Sequence, residues 1–396
     1  MKPEFMQWKE HLLEKIYQNG IAWDGKFAHV GIHPCGAYRI NDGGMWTDSF
    51  WVGIFYLAYL WTKDEKYLKI ADKYQPYYEK RAHDDSSLLN IPEFVKLDHD
   101  TGFIFILSEV ARYKLTGEEQ ARKLALHAAD VLFGRFVKEG GFIRAFDPWG
   151  WETDEEKIRE KKGLFIIDSM MNIPLLFWAA EETGVNAYRE AAEQHAKTVL
   201  QYIVREDGST FHAFLMDPDT YKPVKGRTGQ GYADHTCWSR GQAWAIYGFT
   251  IAYRYTHESE FLNAAVKTAR YFIEHLNGYQ MAAWDFAAQE NIFCPWDSSA
   301  MAIAASGMAE LAAVADMPDM KENAVVLLKS LHQFCDVVSV KSLQPLLLHG
   351  CVGAAYHEGN ELRLAMPYID VPTPYGDYFY MEAILKLEMN NFVLFW

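Results

Sequence analysis

The sequence predicts an all-α protein with the architecture of an (α/α)6 toroid, in which six inner helices are surrounded by six outer helices in a single domain, residues 1–396. The first observation behind this prediction is a repeat: an aromatic and aspartate-rich lead segment, an apolar helix, a short turn and an amphipathic helix recur along the chain. The second is that no Pro- or Ser-rich linker separates two parts of the sequence.

The lead segments mark where each inner helix is expected to begin. They lie at 46–51, 99–103, 167–172, 238–244, 295–300 and 375–380. After the first four, the chain is apolar on nearly every side of a helix, as in 52–61 and 173–180. Such runs predict helices that are buried on most faces.

A turn that begins with threonine follows each of these four inner helices, at Thr62, Thr116, Thr183 and Thr256. The threonine or a following acidic residue can cap the next helix. The helices beyond the turns, such as 119–136 and 188–204, have apolar residues at three- and four-residue intervals, which is typical of an outer helix with one solvent-facing side. The sixth inner helix, 381–387, has little chain after it, so we expect the N-terminal helix, about 5–17, to be its outer partner.

The lead segments converge on one mouth of the predicted ring because every inner helix starts there. Short strand-like segments at 141–146 and 209–217 are expected to form hairpins over this mouth. The ligand-binding cleft is therefore predicted at this end of the ring.

Composition and charge disfavour several classes of partner. The formal charge of −15 has no compensating basic block, so we expect no nucleic-acid partner. No uninterrupted apolar run reaches roughly 18 residues and the first residues lack the apolar core of a secretion signal, so we expect no membrane partner and a cytoplasmic location. The five cysteines form no C-x-x-C pair, which indicates reduced thiols, and nothing implies an obligate protein partner.

Two lead-segment aspartates differ from the others in context. Asp100 follows His99, which can orient its carboxylate, and Asp168 follows the apolar run 164–167, which would raise its pKa. Paired carboxylates among aromatic side chains can protonate a sugar and activate water, and the 13 Trp, 23 Tyr and 24 Phe favour sugar stacking. The remaining lead-segment aspartates are interpreted first as helix N-caps: Asp48, Asp297 and Asp377.

The densest group of polar and aromatic residues is the glycine-rich segment 226–244. Its glycines allow a ligand to approach the backbone, and Gln230 and Arg240 offer hydrogen-bond donors to hydroxyls or a carboxylate. We expect Arg240 to bind an anionic group, to pair with a lead-segment aspartate, or to do both. No metal-binding or nucleotide-binding motif is present, so we predict no metal and no cofactor.

Several motifs in combination resemble those of the unsaturated glucuronyl hydrolases of glycoside hydrolase family 88, over nearly the whole chain. They are Asn41-Asp42, Trp46-Thr47-Asp48, Leu97-Asp98-His99-Asp100, Ile166-Ile167-Asp168, Arg240-Gly241-Gln242-Ala243-Trp244 and Gly376-Asp377-Tyr378. The resemblance implies a substrate that ends in Δ4,5-unsaturated glucuronic acid, from a lyase-cut glycosaminoglycan or related polysaccharide. It also implies hydration of the C4=C5 vinyl ether, after which the resulting hemiketal opens and releases the remaining sugar.

The same resemblance implies roles for individual residues. Asp168 would donate the proton and activate the water, and Asp100 would support the charge and position of the reacting ring. Family substrate-binding positions correspond to Trp46, His99, Phe146, His212, Gln230, Trp238, Arg240 and Trp244. Phe146 stands where relatives often have Trp, and Gly229 stands where a His can precede the glutamine.

Other functions remain open on the same predicted fold. The nearest is an unsaturated rhamnogalacturonyl hydrolase, which would share the chemistry. A sugar epimerase, a lyase and a non-catalytic sugar-binding toroid are the more distant alternatives.

Overall fold

The computed structural model of the chain describes residues 3–34, 36–84, 96–148, 153–287, 295–353, 355–358, 361–364 and 368–396. In chain order the helices of these residues are α1 (Pro3–Trp23), α2 (Asp48–Thr62), α3 (Lys66–Ala71), α4 (Gln75–Ala82), α5 (Thr101–Phe105), α6 (Ala111–Thr116), α7 (Glu119–Phe133), α8 (Glu155–Lys162), α9 (Pro174–Thr183), α10 (Asn186–Tyr202), α11 (Ser239–Thr256), α12 (Ser259–Glu274), α13 (Ser298–Ala315), α14 (Pro318–Phe334) and α15 (Pro374–Glu388).

Within this described part, six helical segments form an inner ring and six form an outer ring. The inner segments are α2, α5 with α6, α9, α11, α13 and α15, and the outer segments are α1, α3 with α4, α7, α10, α12 and α14. A π-helical turn, Ile106–Val110, joins α5 to α6. Helix α15 packs against both α13 and α2 and closes the ring, so the predicted all-α toroid is confirmed.

The N-terminal helix is an outer helix, as predicted. It packs on α2 and α3, and the Trp8 ring meets Tyr380 of α15 edge-on at 6.0 Å. The helix continues past the predicted end to Trp23, and Gly20 lies inside it where α1 passes close to α2. A Cβ atom at Gly20 would lie 2.8 Å from the Phe55 ring, so only glycine fits this approach.

The four threonine turns work differently from the prediction. Each threonine hydroxyl donates to the carbonyl four residues earlier and accepts the amide two residues later, as Thr116 does with Arg112 O at 2.8 Å and Glu118 N at 3.3 Å. The residue after each threonine has a positive φ, for example 73° at Gly117. The threonines therefore end the inner helices, and the expectation that they cap the outer helices is wrong. The alternative, a cap from the following acidic residue, is present in the first turn, where Asp64 Oδ1 accepts the Lys66 amide at 3.0 Å.

Helix α13 is long and apolar enough, by length and composition, to span a membrane, with a mean hydropathy of 1.4. Ser306 and Glu310 interrupt its apolar residues, so the sequence shows no uninterrupted apolar run of membrane-spanning length here. Within the fold it is 78% buried among the other helices, which is the environment of an inner helix of the ring.

Short strands surround the mouth of the ring and position part of the site. They are β1 (Phe27–His29), β2 (Arg39–Asn41), β3 (Phe136–Val137), β4 (Phe142–Ile143), β5 (Leu164–Ile166), β6 (Ala213–Met216), β7 (Pro223–Arg227), β8 (Ala355–Glu358) and β9 (Glu361–Leu364). Their antiparallel sheets are β1–β2, β3–β4, β5–β6–β7 and β8–β9. Both expected strand segments are confirmed, since they contain β4 and β6. Strand β5 leads directly to Asp168, and β6 directly follows His212.

The capping interpretation is right for one of the three remaining lead-segment aspartates. Asp297 caps α13 by accepting the amide of Ser299 at 3.1 Å. Asp48 and Asp377 lie inside their helices and do not cap them, so the interpretation is wrong for these two. They hold neighbouring segments instead, through Gly44 N, Met45 N and Tyr77 OH for Asp48 and through Tyr38 OH, Leu346 N and Leu347 N for Asp377.

Candidate active site

The two predicted catalytic carboxylates lie on neighbouring segments at the start of inner helices. Asp100 is the residue before α5, and Asp168 lies in the 3₁₀ turn Ile167–Met171 between β5 and α9. The side-chain amide of Asn172 links them, because its Nδ2 donates to Asp100 Oδ1 at 3.3 Å and to the Asp168 carbonyl oxygen at 3.1 Å. The structure therefore brings the predicted pair together.

Burial changes the acidity of both carboxyl groups. It raises the pKa of Asp168 to about 6, against the opposing effects of the Arg240 charge and the Trp244 indole N–H. Burial also raises the pKa of Asp100 well above its usual range, and the charges of Asp98 and Asp168 raise it further. Asp98, whose own pKa burial raises to about 6, interacts most strongly with Asp100, so these two carboxyls titrate as a pair and retain a proton at higher pH than ordinary aspartates.

His99 contacts Asp100 as a neutral side chain. Its Nδ1 lies 3.4 Å from Asp100 Oδ1 and 3.2 Å from Ser169 Oγ, while Nε2 is buried without a hydrogen-bond partner. Burial and the charge of Arg135 hold the His99 pKa well below its usual range. His99 therefore orients the carboxylate without adding a positive charge.

His212 faces the other carboxylate. Its Nδ1 accepts the amide of Gly229 at 3.0 Å, which leaves the proton on Nε2, 3.7 Å from Asp168 Oδ2. Burial lowers the His212 pKa to about 3, with Arg240 as a further cause, so this imidazole is also neutral. The glycine at 229 thus supplies a backbone donor that fixes the tautomer.

Both terminal nitrogens of Arg240 donate hydrogen bonds within the protein. Nη1 donates to Asp297 Oδ2 at 3.1 Å and to the Cys351 carbonyl at 2.5 Å, and Nη2 donates to the Val352 carbonyl at 2.8 Å. The expected pairing with a lead-segment aspartate is therefore present. The guanidinium also lies near enough to Asp168 to lower the pKa of that carboxyl. Its contact with an anionic ligand stays a prediction.

Gln230 and Trp238 lie around this guanidinium. Gln230 Nε2 donates to the same Val352 carbonyl at 2.8 Å. The Trp238 ring lies 4.5 Å below the Arg240 guanidinium and 4.5 Å from the His212 ring. These contacts connect the glycine-rich segment to Asp168.

The remaining predicted aromatic residues differ in exposure. Trp46 and Phe146 are half-buried, and Phe146 meets His99 edge-on at 5.0 Å. Trp244 is completely buried, so its faces are not free to stack on a sugar, and it packs 5.2 Å from Phe103. Its indole N–H is buried without a hydrogen-bond partner and is near enough to Asp168 to lower the pKa of that carboxyl.

Two residues of this site were not among the sequence candidates. Asn172 ends the lead segment of α9, and Tyr375 begins that of α15, so position within the repeat was the available signal. The Tyr375 ring stacks on Trp46 at 5.2 Å and lies 5.1 Å from the Arg240 guanidinium. Its hydroxyl is buried without a hydrogen-bond partner.

Polar atoms without partners are concentrated here. Within the described residues, those that adjoin the pair are Asp168 Oδ2, His99 Nε2, Trp238 Nε1, Trp244 Nε1 and Tyr375 Oη. Since buried polar groups are normally satisfied, such a cluster indicates a place where a polar ligand completes the hydrogen bonds. Together with carboxyls of raised pKa, the arrangement suits proton transfer to and from a sugar.

One group of side chains in the described part has the proximity of metal ligands. Asp98, His99 and Asp100 bring potential ligand atoms within 4.8 Å of one another. Hydrogen bonds account for this proximity, since Asp98 Oδ1 accepts the Asp100 amide at 2.9 Å and His99 Nδ1 contacts Ser169. That the protein works without a metal stays a prediction.

A family model, related sequences and solved structures that match this chain all indicate one family of glycoside hydrolases. A family model described as Glycosyl Hydrolase Family 88 matches residues 7–357 of the chain. An unsaturated glucuronyl hydrolase from Bacillus sp. strain GL1 is 36% identical over 371 residues, which cover 92% of this chain and 91% of the relative. The crystal structure of the Bacillus sp. GL1 enzyme superposes with a TM-score of 0.86 at 34% identity and covers 97% of this chain and 96% of its own.

Two streptococcal proteins are also similar. An unsaturated chondroitin disaccharide hydrolase from Streptococcus pyogenes serotype M1 is 37% identical over 355 residues, covering 88% of this chain and 82% of the relative. A variant of the unsaturated glucuronyl hydrolase from Streptococcus agalactiae, solved in complex with dGlcA-GalNAc6S, superposes with a TM-score of 0.80 at 29% identity and covers 100% of this chain and 94% of its own.

Proposed function

Because the chain belongs to glycosyl hydrolase family 88, we infer that it is an unsaturated glucuronyl hydrolase. It removes the terminal Δ4,5-unsaturated glucuronic acid from oligosaccharides that polysaccharide lyases produce. The family resemblance seen in the motifs is confirmed. The observation that carries the proposal for the site is the buried pair Asp100 and Asp168, joined through Asn172.

The reaction begins with transfer of a proton from the Asp168 carboxyl to C4 of the vinyl ether. The C4=C5 electron pair forms the new C–H bond, and C5 becomes an oxocarbenium ion stabilised by the ring oxygen and by the charge of Asp100. The Asp168 carboxylate then takes a proton from a water molecule as its oxygen bonds to C5. Asp168 is thereby returned to its protonated form.

Release of the leaving sugar follows without further redox chemistry. The hemiketal at C5 opens to a ketone as the ring oxygen takes up a proton. The ring oxygen is then the hydroxyl of a hemiacetal at C1, which collapses to an aldehyde and expels the remaining sugar as an alcohol. One water is consumed in the overall reaction.

An acidic substrate assists its own protonation in this site. The charge of Arg240 lowers the pKa of Asp168 from the value that burial alone would give. A uronate carboxylate that approaches the guanidinium offsets this charge and so favours the protonated Asp168. Trp46, Phe146 and Gln230 are half-buried side chains at this site, and we assign them to sugar contact.

The substrate class follows from the relatives. One is named for chondroitin disaccharides, and another is solved with dGlcA-GalNAc6S. We therefore propose unsaturated glycosaminoglycan disaccharides as substrates. A cytoplasmic location is also proposed, and the buried thiols of Cys237 and Cys335, which form no disulfide, support it, while Cys35 and Cys294 lie outside the described residues.

Lyase-made disaccharides of chondroitin, hyaluronan, heparin and pectin test the proposal directly. We expect the ultraviolet absorbance of the double bond to decay with the glucuronyl substrates and the total product mass to rise by one water. Decay with the pectin disaccharide alone would identify the rhamnogalacturonyl alternative. A rise in absorbance would indicate a lyase, and a new isomer of unchanged mass would indicate an epimerase.

A further inference from the structure

We propose that Asn172 is a positioning residue, whose side-chain amide fixes the carboxylate of Asp100 relative to the turn that carries Asp168. This inference deepens the proposed function and rests on it for its kinetic test. It concerns a residue that binds neither the reacting bond nor the leaving sugar in the proposed mechanism.

The hydrogen bonds of Asn172 use both N–H groups and the carbonyl oxygen of its amide. The two N–H groups of Nδ2 serve Asp100 Oδ1 at 3.3 Å and the Asp168 carbonyl at 3.1 Å, and Oδ1 accepts the Phe103 amide at 2.6 Å. The residue is completely buried. Three bonds from one planar group therefore tie the first turn of α5 to the turn before α9.

Backbone packing holds the amide in this position. A Cβ atom at Gly102 would lie 2.4 Å from both the Cα and the carbonyl oxygen of Asn172, far inside van der Waals contact. The missing side chain at Gly102 lets the two segments touch. Asn172 therefore acts as part of a rigid joint between the two aspartates.

Donation from Asn172 also affects the charge state of Asp100. Burial and the charges of Asp98 and Asp168 favour the neutral acid, whereas the Asn172 N–H and the Arg135 charge favour the carboxylate, and the adjacent His99 is neutral. The net effect of these groups is a raised Asp100 pKa, so the Asn172 N–H reduces, and does not remove, the cost of the ionised Asp100 that the proposed mechanism uses beside the oxocarbenium ion. At position 172, a hydrogen-bond donor supports the ionised state of Asp100, and an acceptor would oppose it.

The substitution Asn172→Asp tests this role because it keeps the shape and replaces the donor with an acceptor. We expect kcat to fall about 10- to 100-fold, as for loss of one hydrogen bond to a charged group, with KM within about threefold. The acidic limb of the kcat/KM profile should move up by about one pH unit, because the Asp100 carboxyl then holds its proton to higher pH. An unmoved limb, or a loss confined to KM, overturns the proposal.

Gln242→Glu is the matched control. Gln242 is another completely buried amide, and its Nε2 bridges the carbonyls of Gly208 at 2.7 Å and Thr268 at 2.9 Å, away from the carboxylate pair. The variant Gln242→Glu should lower the melting temperature as Asn172→Asp does, and the acidic limb of its kcat/KM profile should stay at the wild-type pH. An equal shift in both variants would make the effect one of general destabilisation and would refute the role.

Carbon-13 NMR of side-chain carboxyls in aspartate-labelled protein separates this inference from the proposed function. With the Asp100 signal assigned from Asp100→Asn, its midpoint should rise in the Asn172 variant whether or not any disaccharide is turned over. An inactive wild type with this shift refutes the proposed function alone, and an active wild type without it refutes the positioning role alone. If Asn172→Asp does not fold, Asn172→Ser removes the bridging donor without a new charge and should show the same direction of shift.

Discussion

Two buried carboxylate sites lie inside the ring, Asp168 at its mouth and Glu382 on α15, and they differ in how completely they are hydrogen-bonded. At the deeper site, Glu382 Oε1 accepts Tyr378 OH at 2.9 Å and Trp396 Nε1 at 2.8 Å. Its Oε2 accepts Tyr247 OH at 2.9 Å and Ser306 Oγ at 2.5 Å, and Lys386 Nζ lies 3.6 Å away. Every lone-pair direction of this carboxylate is thus used by the protein.

The mouth of the ring has the opposite arrangement. Asp168 Oδ2 has no hydrogen-bond donor, and Arg240, whose charge acts on this carboxyl, is already bonded to Asp297. Both sites bury a carboxylate, but only the mouth leaves one oxygen for a ligand. Hydrogen-bond partners, and not burial, therefore distinguish these two carboxylates from each other.

The largest expected effect is the loss of turnover in Asp168→Asn. The amide cannot donate a proton to C4 or take one from water, so kcat should fall by about 10²-fold or more. Decay of the double-bond absorbance measures it, and circular dichroism checks that the fold is kept. Turnover near that of the wild type would remove Asp168 from the mechanism. The carboxylate at the mouth could then no longer be contrasted with Glu382 as a catalytic group.

The same carboxylate-to-amide change at the deeper site should act on stability. Glu382→Gln places an amide NH₂ against donors such as Trp396 Nε1 and removes the charge beside Lys386, so we expect a loss of about 2–4 kcal/mol. For a chain of this length, that corresponds to a fall of about 3–5 °C in melting temperature. Calorimetry measures the shift, and kcat per folded molecule should stay within about twofold. A catalytic defect as large as that of Asp168→Asn would abolish the distinction between the sites.

The sequence predicts the ring and the identity of the carboxylate pair because both depend on patterns local to the chain. All-round apolar runs identify inner helices such as 52–61, and the apolar approach to Asp168 correctly predicts a raised pKa. The site around them depends on residues distant in sequence. The partners of Arg240, for example, are Asp297 and the carbonyls of Cys351 and Val352, more than fifty residues away.

Local sequence patterns gave a wrong or incomplete prediction where one residue type can have two structural roles. A threonine after a helix can cap the next helix or end the previous one, and only the positive φ of the residue that follows decides for the second role. Asn172 resembles an ordinary turn residue in the sequence. Its importance appears only when α5 is packed against the 3₁₀ turn, so that one amide reaches Asp100 and the Asp168 carbonyl.

The smallest expected effect is a gain in stability from the substitution that abolishes turnover. The pKa of Asp168 is about 6 in the fold against 3.8 for an ordinary aspartate. The folded protein therefore holds this proton more tightly than the unfolded chain does. The stabilisation from this group is complete below about pH 4 and is lost as the pH rises through about 6.

Asp168→Asn has no such loss, so at neutral pH its melting temperature should exceed that of the wild type by about 2 °C, and the gain should vanish below about pH 4. Asp100 adds to the gain because the neutral amide no longer repels its carboxylate. Melting curves across this pH range measure the difference. If the two melting temperatures instead differed by the same amount at every pH, the pKa of Asp168 would be the same in the folded and the unfolded chain. Its oxygen would then be as well satisfied as those of Glu382, and the contrast between the two carboxylate sites would fail.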